Sequence, residues 1–199
     1  MTTRRDVATM IALVVACGAL AACGGSPPAP REPAAPAGLE RFLPLHDKDI
    51  YTYETLREDT GARDMFMVRV QRRDPGTADL VSGASVRSLL IEPSAIRRRE
   101  GGFLLKLPLQ VGSEWPGDNG GQTRVVDTNA SVDVPAGKFH GCVRTVEEIA
   151  AGAKGRITTT YCPLVGIAQM IVEEESEGDR VTQRVSLRAY GAPMDLGIR

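Results

Sequence analysis

From Leu39 onward, apolar residues recur mostly at every second position. Tyr51, Tyr53 and Thr55 alternate with Thr52 and Glu54, and Phe66, Val68 and Val70 alternate with Met67, Arg69 and Gln71. Phe103, Leu105 and Leu107 alternate with Leu104 and Lys106. In the last run Val181, Gln183, Val185, Leu187 and Ala189 share one face, and Thr182, Arg184, Ser186 and Arg188 take the other. Successive side chains of an extended strand point to opposite faces, so a period of two marks strands with one face buried and one wet. Turn residues separate the runs: Glu58-Asp59-Thr60-Gly61, Asp74-Pro75-Gly76, Asp118-Asn119-Gly120-Gly121, Ala151-Gly152-Ala153-Lys154-Gly155 and Glu177-Gly178-Asp179. Glycine, asparagine and aspartate supply the backbone conformations that tight turns require. No long 3.6-residue period appears, although residues 79–98 are ambiguous and have room for a helical turn. The pattern predicts an all-β domain: an antiparallel meander forming a curved sheet, open barrel or sandwich.

The N-terminus follows other rules. Arg4 and Arg5 precede Val7 to Ala22, a stretch apolar or small throughout. It has the length of a signal-peptide apolar region and is short for a membrane-spanning helix of ~20 residues. Leu20-Ala21-Ala22-Cys23 resembles a bacterial lipobox. The resemblance implies cleavage before Cys23, a diacylglycerol on its thiol, and an acylated (palmitate-like) amine. Val14-Val15-Ala16-Cys17 is a second candidate, but it leaves too short an apolar run before the cut. Thr3-Arg4-Arg5-Asp6-Val7 also looks loosely like a twin-arginine export signal, so the export route stays open. Gly24 to Gly38 hold five of the chain's 13 prolines and read as an extended tether. At ~3.1 Å per residue its reach is up to ~45 Å. The expected organisation is a lipoprotein signal peptide at 1–22, a lipidated Cys23 with tether at 23–38, one β-rich domain at 39–190 and a tail at 191–199.

Charge narrows the partners. The 199-residue chain has a formal net charge of −1. Removing residues 1–22 takes away Arg4, Arg5 and Asp6 and leaves a charge near −2. Such a surface offers no electrostatic route to anionic lipid and little to nucleic acid. Membrane attachment then falls to the acyl chains.

A second resemblance covers about residues 105–175. Leu107-Pro108-Leu109-Gln110-Val111-Gly112-Ser113-Glu114-Trp115 is followed by Val132-Asp133-Val134-Pro135-Ala136-Gly137-Lys138-Phe139, then Cys142, then Tyr161-Cys162-Pro163-Leu164-Val165-Gly166. This ordered set looks like the pattern of secreted bacterial proteins, many of them lipoproteins, that include the TapB-like group. The resemblance implies a β-rich extracytoplasmic domain and no catalytic residues. From the residues themselves, Pro135-Ala136-Gly137 is a turn between strands, and Gly166 lets a strand restart with a bend. Trp115 reads as a core cap before a ligand platform. Tyr51 and Tyr53 read equally as core or as pocket lining.

Candidate chemistry is sparse. Asp127-Thr128-Asn129-Ala130-Ser131-Val132-Asp133 spaces oxygen side chains like the start of a calcium loop, but Val132 and Lys138 stand where an EF-hand needs glycine and a carboxylate. The acidic run Glu173 to Asp179 reads as a solvated hairpin tip, and Arg97-Arg98-Arg99-Glu100 as a solvated turn. His46 and His140 are the only histidines and have no assigned partner. No nucleophile elbow, zinc spacing or phosphate loop is present. No catalytic residue, metal or cofactor is expected.

Cys142 and Cys162 are the thiols left once Cys17 is removed and Cys23 lipidated. In a hairpin with Ile149 opposite Gly155, Cys142 faces Cys162 and Glu148 faces Arg156. A non-hydrogen-bonded pair brings the Cα atoms to ~4.5 Å, within disulfide range. A one-residue slip would put the two thiols on opposite faces.

Two functions from different classes remain. One is a membrane-anchored envelope lipoprotein whose non-catalytic β-domain binds an envelope ligand or protein, or serves a structural role. The alternative is an envelope hydrolase using carboxylates only. The expected location is the bacterial cell envelope. The outer membrane is preferred over the inner, because Gly24 is not the aspartate that retains some lipoproteins in the inner membrane. Intact-mass spectrometry of the native protein should show an acylated chain beginning at Cys23, and Cys23→Ala should shift the protein to the soluble fraction. A Cys23→Ala protein that stays wholly with membranes would overturn the anchor.

Overall fold

The structure, a computed structural model, describes residues 38–149, 154–176 and 179–193. The leader, Cys23 and the tether up to residue 37 lie outside the described residues, as do the turn tips at 150–153 and 177–178 and the tail from 194. As the alternation predicted, the domain is all-β. Its strands are β1 (Ile50–Arg57), β2 (Arg63–Asp74), β3 (Thr77–Ser82), β4 (Ser85–Glu92), β5 (Ala95–Arg98), β6 (Phe103–Lys106), β7 (Glu114–Pro116), β8 (Gln122–Val134), β9 (Gly137–Ile149), β10 (Lys154–Cys162), β11 (Gly166–Ser176) and β12 (Asp179–Gly191).

All twelve form one antiparallel sheet in the order β6-β5-β4-β3-β2-β1-β12-β11-β10-β9-β8-β7. The first and last strands pair, so the edge strands β6 and β7 are consecutive in the chain. They meet at a seam. Phe103 makes a parallel bridge to Gly117, and the Trp115 indole N–H donates to the Phe103 carbonyl at 3.2 Å. A Cβ at Gly102 would collide with the Gly117 carbonyl oxygen, so the close approach there requires glycine. The result is a nearly closed barrel rather than a sandwich.

Residues 79–98 are β3, β4 and β5, with no helical turn. Their alternation is blurred because polar and apolar groups mix on both faces. Arg87 and Arg98 share the inner face with Leu80 and Leu89, to which they are paired in register. On the outer face Asp79 is only 2% exposed. The Ser88 hydroxyl donates to it at 2.7 Å, and Arg73 pairs with its other oxygen. The Ser88 bond, followed by Arg73, holds the Asp79 carboxyl below its ordinary pKa.

The β12 run needs a second correction. A bulge lets Tyr53 oppose Leu187 while Thr52 opposes Ala189 and Tyr51 opposes Tyr190. Ala189 therefore leaves the shared face and is exposed. Tyr190 stacks on Tyr51 instead, with ring centroids 6.5 Å apart.

The barrel end where β1 begins is filled. Residues 38–49 are a plug rather than a strand: a 3₁₀ turn at Gly38–Arg41 followed by extended chain, with Leu39, Leu43 and Leu45 buried. The Tyr51 hydroxyl donates to the Pro44 carbonyl at 2.9 Å, and the Leu164 N–H donates to the Arg41 carbonyl at 2.6 Å. The β8–β9 hairpin closes the same end. Three register shifts kink β8, and Gly141 on β9 has φ +66°. The Ala136 N–H thereby reaches the Leu187 carbonyl on β12 at 2.9 Å. Ala130, Val132 and Val134 join the core.

Strands β9 and β10 pair with Ile149 opposite Gly155 and Val143 opposite Tyr161. The next position brings Cys142 and Cys162 together, with Sγ atoms 2.02 Å and Cα atoms 4.2 Å apart. Both are fully buried in the main core. The loop-entropy relation assigns roughly 3 kcal/mol to a crosslink across a loop of this size. Replacing both cysteines by alanine should therefore lower the unfolding free energy by about 3 kcal/mol in urea titrations. Thiol titration of the unreduced, denatured protein should find neither Cys142 nor Cys162; finding both would remove the bridge.

Candidate functional site

Opposite the plug, the interior is not filled. The antiparallel register sets Thr123, Glu147, Ile157 and Val172 in one inward row, and Val125, Thr145, Thr159 and Met170 in the next. Across the lumen stand Leu80, Arg87, Leu89 and Arg98, with Phe103 and Leu104 of β6. Together with Asp118 and Asn119 of the β7–β8 turn, these residues, Val125 apart, line a cavity of about 210 Å³. Asn119 and Arg87 are exposed at its rim, whereas Glu147 is only 5% exposed.

A carboxylate at that depth persists because hydrogen-bond donors replace the lost water. Glu147 Oε1 accepts the backbone N–H groups of Asn119 at 2.8 Å and Gly121 at 2.9 Å, and Oε2 accepts the Asn119 side-chain amide at 2.9 Å. A Cβ at Gly117 would run into the Glu147 carboxyl group, and one at Gly121 into the Glu148 carbonyl. The glycines of this turn are thus a cradle for Glu147 as well as a reversal of the chain. Beside it, Arg98 and Asp118 form a forked ion pair, with Nε to Oδ1 at 2.6 Å and Nη2 to Oδ2 at 3.0 Å. This pair ties the end of β5 to the β7–β8 turn across the seam. The Tyr161 hydroxyl donates to the Leu104 carbonyl at 3.3 Å. Burial, reinforced by the charges of Asp118 and Glu147, pushes its phenol far above the ordinary tyrosine range. Tyr161 therefore stays protonated at neutral pH and serves as a donor.

The residues singled out from sequence have other placements. Trp115 is 2% exposed and caps a small core with Val125 and Val143. Tyr51 and Tyr53 are core residues outside the cavity, with Tyr53 donating to the Ile167 carbonyl at 3.1 Å. The Arg97–Arg99 run is not simply a solvated turn: Arg98 points inward to Asp118, while Arg97 pairs outside with Glu92 at 2.9 Å. In the calcium-like stretch, Asp127 accepts the Asn129 N–H at 2.8 Å, Ser131 meets His140 at 2.8 Å and Asp133 pairs with Lys138 at 3.1 Å. His46 lies 3.2 Å from Asp49. Lys154 and Arg156 face Glu175 and Glu173 across β10 and β11. Among the described residues, no three His, Cys, Asp or Glu side chains converge on a metal-sized centre. Arg156 bonds to Glu148 at 2.8 Å.

Sequence reading missed Arg87, Arg98, Asp118 and Glu147 as one constellation. A signal for Glu147 was present. It continues the period-two row Val143, Thr145, Glu147, so the buried face of β9 ends in a carboxylate. Nothing local linked it to the turn 26–28 residues earlier.

Comparison with known proteins adds little chemistry. No family model matches the chain, and no curated protein matches it. Solved structures with a similar arrangement include a protein described as exported, with a YmcC-like fold, from Bacteroides fragilis. It is 13% identical at a TM-score of 0.48, with 73% of this chain and 96% of that one covered. Another, described as a lipoprotein from Parabacteroides distasonis, is 10% identical at a TM-score of 0.38, with 74% and 96% covered. At these values the likeness says nothing about activity, and the resemblance to the TapB-like group rests on the sequence alone.

The cradle makes a stability prediction. Glu147→Ala leaves three inward donors without their acceptor and should cost about 1–3 kcal/mol, with faster amide exchange at Asn119 and Gly121. Glu147→Gln, which keeps one acceptor, should cost less. An unchanged urea midpoint and unchanged exchange in Glu147→Ala would show that the carboxylate does not hold the turn.

Proposed function

We propose that this chain is a lipid-anchored protein of the bacterial envelope whose β-domain is a non-catalytic binding module, with the interior cavity as its ligand site. The carrying observation is the cavity itself. It has an apolar wall at Leu80, Leu89, Phe103 and Leu104, and opposite it a wall that mixes polar Thr123, Thr145, Glu147 and Thr159 with apolar Ile157, Met170 and Val172. It lies at the end of the barrel remote from residue 38, where the described chain begins. Leu20-Ala21-Ala22-Cys23 supports the anchor, and the near-neutral mature charge leaves attachment to the acyl chains. Gly24 favours the outer membrane.

The hydrolase reading has one observation in its favour: Asp118 and Glu147 share the cavity with Tyr161. Against it, Asp118 is forked to Arg98, and both Glu147 oxygens accept from the turn. A general acid or base must reach the proton it moves. Glu147 is held through both oxygens, and Asp118 is held by a hydrogen bond at Oδ2 and a charge contact without one at Oδ1. Their engagement supports binding over catalysis.

The test uses the mature chain, residues 23–199, with Cys23→Ser to remove the lipid. Titration with 1-octanol, followed by amide NMR, should shift the signals of Leu80, Leu89 and Met170, and Leu89→Trp should abolish those shifts. The absence of shifts confined to the cavity would overturn the binding reading. Hydrolytic turnover lost in Asp118→Asn or Glu147→Gln, with the fold intact by circular dichroism, would overturn the non-catalytic one.

A further inference from the structure

The cavity holds two cations and two carboxylates, and three of the four are already committed. Arg98 and Asp118 neutralise each other through two contacts. Glu147 accepts three hydrogen bonds from the β7–β8 turn. Arg87 remains. It lines the cavity at the rim, and among the described residues it has no ion pair or hydrogen bond from its side chain.

Arg87 is exposed at the mouth of the cavity. It occupies the inner face of β4 opposite Leu80, two residues before Leu89, which is 1% exposed. Ile91 continues the same face. An apolar side chain there would extend the core toward the mouth, whereas a guanidinium leaves up to five N–H donors at the edge of an apolar wall. A cation in such a place, with low-dielectric walls behind it, draws an anion more strongly than one on an open surface.

We propose that the cavity takes a small amphiphile with one anionic headgroup, its carboxylate or phosphate held by Arg87 and its apolar tail seated among Leu80, Leu89, Ile157, Met170 and Val172. This specifies the ligand of the cavity-binding reading above and rests on it. The committed state of Glu147 matters to the argument. Its charge is met by three donors, so it faces the turn and leaves the anion-binding role to Arg87. The size of the cavity restricts the tail to a short chain, since drug-sized sites begin at about 300 Å³.

Three probes of equal chain length separate the terms: 1-octanol, octanoate and octyl phosphate, each titrated into the mature Cys23→Ser chain and followed by amide NMR. Octanoate, octyl phosphate or both should bind about tenfold more tightly than octanol, as one charge-assisted hydrogen bond provides. The stronger of the two anions identifies the headgroup. Arg87→Gln should reduce anion affinity to the octanol level and leave octanol binding unchanged, and Arg87→Lys should restore part of it. Added salt should weaken the anions and spare the alcohol. Octanol binding as tightly as both anions, or Arg87→Gln weakening all three alike, would overturn the anionic headgroup while the cavity-binding reading stands. Failure of all three probes to shift any cavity residue would overturn both.

Discussion

The pairing of β1 with β12 is the constraint on which the domain depends. It runs from Ile50 opposite Gly191 to Arg57 opposite Gln183, joining segments at opposite ends of the described chain. Without it the meander is two open arms, each with an extra unpaired edge inviting another strand. With it, the remaining edges belong to β6 and β7, which are neighbours in sequence. A short connection, one backbone bridge, the Trp115 indole and the Arg98–Asp118 fork then suffice to bring them together. Closure also decides which face of every strand is inside.

A twelve-stranded wall encloses more volume than its own inward side chains can fill, since about eight strands already give an interior just wide enough for them. This chain has few aromatic residues to make up the difference. The missing volume at one end is supplied by segments that are not barrel wall: Leu39, Leu43 and Leu45 of the plug, and the folded-over β8–β9 hairpin. Nothing comparable fills the other end among the described residues, and the cavity is the consequence. The location of the site therefore follows from where filling stops.

Polar groups in that end are organised by the same closure. The β7–β8 turn sits beside the seam and must hold its shape against a neighbouring turn. Glu147 provides that hold from within the barrel, using backbone donors that would otherwise face a poorly solvated interior. Arg98 and Asp118 lock the turn to β5. Arg98 Nε and Asp118 Oδ1 touch as an ion pair without a hydrogen bond. Among the described residues lining the cavity, Arg87 is the charge with neither an ion pair nor a side-chain hydrogen bond, and the proposed headgroup turns on that asymmetry.

The sequence by itself determined the elements. Period-two alternation specified strands, turn residues specified most of the reversals, and a hairpin with Ile149 opposite Gly155 offered a register of β9 on β10 in which Cys142 meets Cys162, with a one-residue slip left open. These are local properties, set by side-chain parity and by backbone conformations that glycine, proline, asparagine and aspartate favour. They failed where a local rule met a non-local one. The bulge that exchanges Ala189 for Tyr190 answers to the partner strand β1. Arg87 and Arg98 blur the alternation of β3 to β5 because their inner face borders a cavity rather than a core. Tertiary structure alone decided the barrel over the sandwich, the plugged end, and the meeting of Arg98, Asp118 and Glu147. Their spacing in the chain carries no trace of the meeting. Closure of the sheet brings Arg98 to Asp118, and the pairing of β8 with β9 brings Glu147 to the turn.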